Sequence, residues 1–187
     1  MIVRHGEKPL APKTAPFAVL ADGTQNKHSL IVRGWNRAGA LAPFFSQPWV
    51  SAVQTPGTIY AGGFTPPPGD DPTDGIEDPA HSLRPSQTVT PLADRLQLTI
   101  NEQFSVGDET ALVNDIRGAS GVVLVAWEHK HIPIIGAQLF AGVPATWPGD
   151  RFDIVWIFNQ AADGSYAFTQ VPQQLLSGDL DTVIPAA

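Results

Sequence analysis

Residues 121–127 read GVVLVAW, an unbroken apolar run rich in β-branched side chains and bounded by glycine on one side and a charged stretch on the other. A strand of this kind has no polar face to give to solvent, so it must be covered on both sides. The economical solution is a central strand of a parallel sheet with helices above and below. The remaining segments fit that demand. IVR at 2–4, TIYAGG at 58–63 and LTINEQF at 98–104 read as short strands, and RFDIVWIFNQ with SYAFTQV as two late strands joined by a hairpin at AADG. Between them, Leu30, Trp35, Ala38, Leu41, Phe44 and Phe45 recur at helical spacing and predict a helix from about Gly34 to Ser46, interrupted or ended near Pro43. RPSQTVTPLADRLQL and HKHIPIIGAQLFAG predict two more helices. GDETALVNDIRG predicts another, with acids at its start and Gly118 at its end. Strand and helix alternate through most of this order, which predicts a three-layer α/β/α sandwich with a largely parallel sheet, built as a single domain over 1–187.

Two stretches have no such pattern. Residues 10–28 mix proline, alanine and polar side chains and read as a loop. Residues 64–82, FTPPPGDDPTDGIEDPAHS, are dense in proline, glycine and acid, and cannot bury enough apolar surface to fold alone; they predict a surface insertion. A first strand of three residues is shorter than the usual five or so, which predicts residues upstream of Met1. Compartment stays open between the cytoplasm and export with a removed signal peptide, and the sequence sets no oligomeric state.

The net charge of -7 argues against binding to nucleic acid or an anionic membrane through a basic surface. Any anionic ligand therefore needs a local basic site. The absence of cysteine removes thiolate chemistry and Cys-ligated metal sites. Open α/β sheets place their sites beyond the carboxyl ends of strands. There the sequence offers Arg4 and His5 after IV, Arg84 at the head of a helix, and His129 after VVLVAW. Singly, each reads as a solvated strand-end side chain. Together they would form a cationic pocket suited to a phosphoryl group, in which one imidazole attacks phosphorus while the other donors stabilise the transferring charge.

Arg4-His5-Gly6, extended to RHGEKP, resembles the RHG signature of the histidine phosphatase superfamily, also called phosphoglycerate mutase-like. RPSQTV at 84–89 resembles that family's second arginine element, VLVAWEHKHIP its late histidine after a buried strand, and LIVRGWNRAGAL the pattern of its first helix. The resemblance implies a phosphoglycerate mutase-like fold and a phosphomonoester hydrolase that works without metal or other cofactor. His5 would be the nucleophile, Arg4, Arg84 and His129 would bind phosphoryl oxygens, and Gly6 would let the backbone turn beside the phosphate. The substrate would be a phosphorylated small molecule or phosphopeptide. A phosphoglycerate mutase-type phosphotransferase and a non-catalytic phosphate-binding module are the alternatives.

For the general acid the sequence favours Glu109, at a helix start where it equally reads as a dipole-stabilising residue, over Glu128 or Glu102. Glu128 is expected to point away from His129 unless the strand has already ended, because neighbours on a strand face opposite ways. Glu7 and Lys8 read as the pocket mouth or as an exposed ion pair. His131 reads as a pocket-edge or surface group, and His28 and His81 as solvent-facing. Arg33 and Arg37 fall on one side of the first helix, expected to be solvated. Trp35 and Trp156 read as core, and Trp127 as packing under the pocket. The family's serine at the second strand end is replaced by Gly62-Gly63, so Arg84 must be returned to the pocket by the 64–82 insertion.

Overall fold

A computed structural model describes residues 1–11, 13–74 and 82–186. Its elements run β1 (Ile2–Arg4), α1 (Val32–Ser46), β2 (Thr58–Ala61), α2 (Arg84–Leu96), β3 (Ile100–Asn101), α3 (Glu109–Gly118), β4 (Val123–Trp127), α4 (Ile132–Leu139), β5 (Ile154–Gln160) and β6 (Tyr166–Pro172). The six strands form one sheet in the order β3-β2-β4-β1-β5-β6. The pairs β3-β2, β2-β4 and β4-β1 are parallel, whereas β5 is antiparallel to β1 and β6 to β5. The sheet is thus parallel up to β1, with the late hairpin closing its far side.

Every residue of β4 is buried, and alternate residues enter different cores. Leu124 and Ala126 join Leu41, Phe44 and Phe45 of α1 and Val89 and Leu92 of α2. Val123, Val125 and Trp127 join Leu112 and Val113 of α3 and Ile132 and Ile135 of α4. That division is the physical content of the unbroken run at 121–127: both pleat faces meet helices, giving the three-layer α/β/α arrangement. Full burial of each large side chain here contributes roughly 1.5–3 kcal/mol of transfer free energy.

Three details differ from the sequence reading. Helix α1 begins at Val32, two residues before Gly34, because Val32 is exposed and lies off the apolar stripe. Pro43 neither interrupts nor ends it: the N–H that proline lacks would have bonded the carbonyl of Gly39, on the exposed side of the last turns. Only Ile100 and Asn101 of 98–104 pair as a strand, and the chain then turns so that Gly63 N–H donates to Phe104 O at 2.8 Å. Trp35 is half-buried rather than core, with its indole N–H donating to Val19 O at 2.8 Å, while Trp156 is fully buried as expected. No helix among the described residues is long and apolar enough to cross a membrane.

Candidate active site

The parallel register of β1 on β4 sets Arg4 opposite Trp127, and His5 N–H donates to Trp127 O at 3.1 Å. The residues that follow each strand therefore leave the sheet at one edge. The chain after β2 joins them, with Gly62 N–H on Ala126 O at 3.3 Å. From α2, Thr88 Oγ accepts from Gly6 N–H and donates to the Arg84 carbonyl, both at 2.7 Å, which locks the helix start against the 4–6 turn. Gly6 has to be glycine for a packing reason. A Cβ there would lie 2.9 Å from the carbonyl oxygen of Gly34, and one on Gly34 would lie 2.5 Å from the carbonyl oxygen of Glu7. The turn and α1 touch backbone to backbone.

Arg4 is buried with its guanidinium carbon 3.6 Å from the centre of the Phe152 ring. Its Nη1 donates to the carbonyls of Pro148, Gly149 and Arg151 at 3.2, 2.8 and 3.0 Å. Its Nε is buried with no hydrogen-bond partner among the described residues. Burial pushes its pKa down to about 10, against the opposing pull of Glu128, Glu7 and Asp150, so it remains charged at neutral pH.

His5 Nδ1 lies 2.7 Å from Gly6 O. A carbonyl only accepts, so Nδ1 carries the proton and Nε2 keeps its lone pair. Burial, followed by the charges of Arg4 and Arg84 and more weakly Lys8, holds the imidazole pKa well below 6.5. Arg84, also buried, donates from Nε to Ser29 O at 3.1 Å and from Nη2 to Lys27 O at 2.8 Å. It is the first residue of α2, so the positive end of the helix dipole adds to its charge.

Strand β4 ends at Trp127, so the alternation that would separate Glu128 from His129 has already lapsed. The exception that the sequence reading allowed for an ended strand holds, and Glu128 Oε1 lies 2.6 Å from His129 Nδ1. Burial alone would raise the Glu128 carboxyl, but His129 and the Lys130 N–H, at 2.7 Å, hold it below the usual carboxylate value.

Glu109, buried at the start of α3, is held by several donors. Both its oxygens accept from Gly107 N–H, at 3.0 and 3.2 Å, Oε1 accepts from Trp127 Nε1 at 3.2 Å, and His131 Nδ1 lies 2.8 Å away. It lies in the first turn of its helix, where a carboxylate meets the positive end of the dipole, and it also ties that helix to the end of β4. His131 is thus a partner of Glu109, a link that residue spacing does not reveal.

No protein-family model matches the sequence, and no curated protein matches it at a significant level. Solved structures do match. The protein histidine phosphatase SixA, in a complex with tungstate, aligns over 92% of this chain and 95% of its own with a TM-score of 0.58, at 17% sequence identity. The chain has the histidine phosphatase fold.

Around that fold's usual elements, three expectations from the sequence are corrected. Glu7 is not an exposed ion pair: it is buried, and its carboxylate takes Arg37 Nε at 3.1 Å and Nη2 at 2.8 Å, with Arg33 Nε at 3.1 Å. Arg37 is fully buried rather than solvated, because it also reaches Asp179 Oδ1 at 2.7 Å and Gln173 Oε1 at 2.9 Å from the C-terminal segment. Arg33, part-exposed, adds a bond to Ser177 O at 2.7 Å. His28 is buried rather than solvent-facing, its Nε2 2.8 Å from Asp70 Oδ2 and its ring 4.8 Å from that of Phe64. Lys8 remains half-buried near His5, and His81 lies outside the described residues. A cavity of about 360 Å³ opens at the opposite edge of the sheet, beside Met1, Gly121 and Val123, and includes none of these side chains.

Proposed function

We propose that the chain is a phosphoric monoester hydrolase working through a phosphohistidine on His5. The observation that carries this reading is the state of His5: a buried, neutral imidazole whose Nδ1–H is tied to Gly6 O, leaving a bare Nε2 beside two buried guanidinium groups. Neutral imidazole is the nucleophilic form, and two fixed cations are what a dianionic phosphoryl group requires. The unpartnered, buried Arg4 Nε–H supports the same reading, since buried donors are normally satisfied and an oxyanion would satisfy this one. The fold shared with a protein histidine phosphatase solved with tungstate, a tetrahedral oxyanion, adds to it.

In this reading the His5 Nε2 lone pair forms a bond to phosphorus while the ester P–O bond breaks. Arg4, Arg84 and His129 bind the equatorial oxygens, with the Glu128 carboxylate beside His129. Glu109 gives its proton to the departing oxygen. Water then attacks phosphorus, the P–N bond breaks, inorganic phosphate leaves, and the water's proton returns to the carboxylate. Gly6 keeps the backbone clear of the phosphoryl group, and Lys8 lies at the entrance.

The test is hydrolysis of p-nitrophenyl phosphate, without added metal, by wild type and His5→Ala, with ³²P transfer to the protein followed in parallel. Turnover and acid-labile labelling that both vanish in His5→Ala are expected. Full activity in that variant would overturn the mechanism, and transfer of the phosphoryl group to a second position on a phosphoglycerate, without phosphate release, would identify a mutase.

A further inference from the structure

Three consecutive carbonyls, those of Lys27, His28 and Ser29, hold the start of α2. Lys27 O takes Arg84 Nη2 at 2.8 Å, Ser29 O takes Arg84 Nε at 3.1 Å, and His28 O takes Leu83 N–H at 3.1 Å. The side chains of the first two residues point to one acid on the 64–82 insertion. Asp70 Oδ1 lies 2.6 Å from Lys27 Nζ, and Oδ2 lies 2.8 Å from His28 Nε2. Around this clasp, Lys27 N–H donates to Pro72 O at 2.7 Å, Lys27 Nζ also reaches Asp74 at 3.0 Å, and Phe64 packs on the His28 ring. The insertion therefore bonds to the side chains of a segment whose backbone holds the arginine.

We propose that Asp70 is a positioning residue for Arg84: by fixing Lys27 and His28 it aims the 27–29 carbonyls that hold the guanidinium in the phosphoryl site. A loop of 27–29 without that anchor keeps its sequence but loses its register against α2. Bidentate recognition of an oxyanion by arginine is intolerant of such a shift, because both N–H vectors must meet their oxygens at once. Asp70 touches no reacting atom in this scheme, and its effect is on phosphoryl affinity. The inference rests on the phosphatase reading for its consequence, and on the contacts of Asp70, Lys27, His28 and Ser29 for the hold on Arg84.

Two readouts separate these layers. In protein labelled with ¹⁵N-arginine, Arg84 Nε–H, buried and bonded to Ser29 O, gives a slowly exchanging resonance in wild type; in Asp70→Ala it is expected to exchange at least tenfold faster. Inorganic phosphate, titrated by calorimetry, is expected to bind about tenfold more weakly to Asp70→Ala, with KM for an aryl phosphate raised in proportion and kcat changed less than threefold. Asp70→Glu should recover part of both effects, Asp94→Asn on the exposed side of α2 should change neither, and Lys27→Gln gives a second, milder cut of the same clasp. In an Arg84→Ala background, removing Asp70 should weaken phosphate no further. Unchanged Arg84 exchange in Asp70→Ala, or additive losses in the double variant, would overturn the proposal. If Arg84 exchange rises but wild type neither binds phosphate nor turns over an ester, the clasp stands and the phosphatase reading fails.

Discussion

Nδ1 of His5 and the carbonyl oxygen of Gly6, its own neighbour, stand 2.7 Å apart in a buried turn. This bond sets the tautomer locally, so the ring needs no carboxylate partner to hold its proton. The site can then keep the imidazole neutral by burial and by the positive charge of Arg4 and Arg84.

That neutrality predicts a pH signature in stability. In the folded chain His5 resists protonation, whereas in the unfolded chain it takes a proton near its usual 6.5. Above that value the two states bind the same number of protons and the contribution is flat; below it the unfolded state binds more, and stability falls as the solution is acidified, by up to about 1.4 kcal/mol per pH unit from this one group. Thermal melts of wild type and His5→Asn between pH 5 and 7.5 should therefore diverge only on the acid side, with the variant showing the shallower slope. Parallel profiles would mean that His5 is not held neutral.

Two glycines five residues apart on α1 should respond to alanine with opposite signs. Gly34 meets the backbone of Glu7, so a methyl group there has nothing flexible to displace, and overpacking of this kind costs about 1–3 kcal/mol or more. Gly39 has open space around its Cβ position, and alanine should stabilise the helix there by up to about 1 kcal/mol. Urea denaturation of the two variants measures both.

Arg37 sits between two buried carboxylates, and Arg37→Met would leave Glu7 and Asp179 with the exposed Arg33 in place of a buried ion-pair partner. Burial opposes the Arg37 charge, but its hydrogen bonds to Asp179 and Glu7 outweigh it and raise its pKa. Loss of one member of such a cluster costs about 3–5 kcal/mol, most of it the stranded negative charge. Glu7→Gln combined with Arg37→Met should be less damaged than Arg37→Met alone, a sign of coupling that chemical denaturation of the single and double variants will reveal.

The assignment of the proton donor is tested by the leaving group. A p-nitrophenolate departs without help, whereas an alkoxide needs its proton, so loss of the acid should lower kcat on an alkyl phosphate by about 10²-fold or more and leave the aryl ester much less affected. Glu109→Gln is expected to show that split, and its amide oxygen can still accept from Trp127. The same split in Glu128→Gln would move the role there.

The sheet and its helices were legible because their signals are local: β4 declares burial on both faces within seven letters, and the stripe of α1 repeats every turn. The placement of Arg4, His5 and His129 at one edge was legible through strand ends, since a parallel register carries adjacent termini to one side of the sheet. What escaped was charge burial. Arg37 looks like a surface residue beside Arg33 until Asp179, 142 positions later, arrives to pair with it. His28 looks solvated until Asp70 does the same. Glu128 stayed open for a narrower reason: its direction depends on whether β4 stops at Trp127 or one residue later, and strand limits are set by pairing with β1 and β2 rather than by the letters of β4 itself.

The placement of β1 between β4 and β5 gives the site two tempos. His5 follows a strand in the middle of the sheet, where openings are expected to be the most costly, while Arg84 is steadied by the carbonyls of a loop, where smaller local openings are expected. If the proposed phosphatase reading holds, warming is expected to weaken the hold on a phosphoryl group before it disturbs His5, so that saturation by substrate is lost at temperatures where the chemical step is still rising.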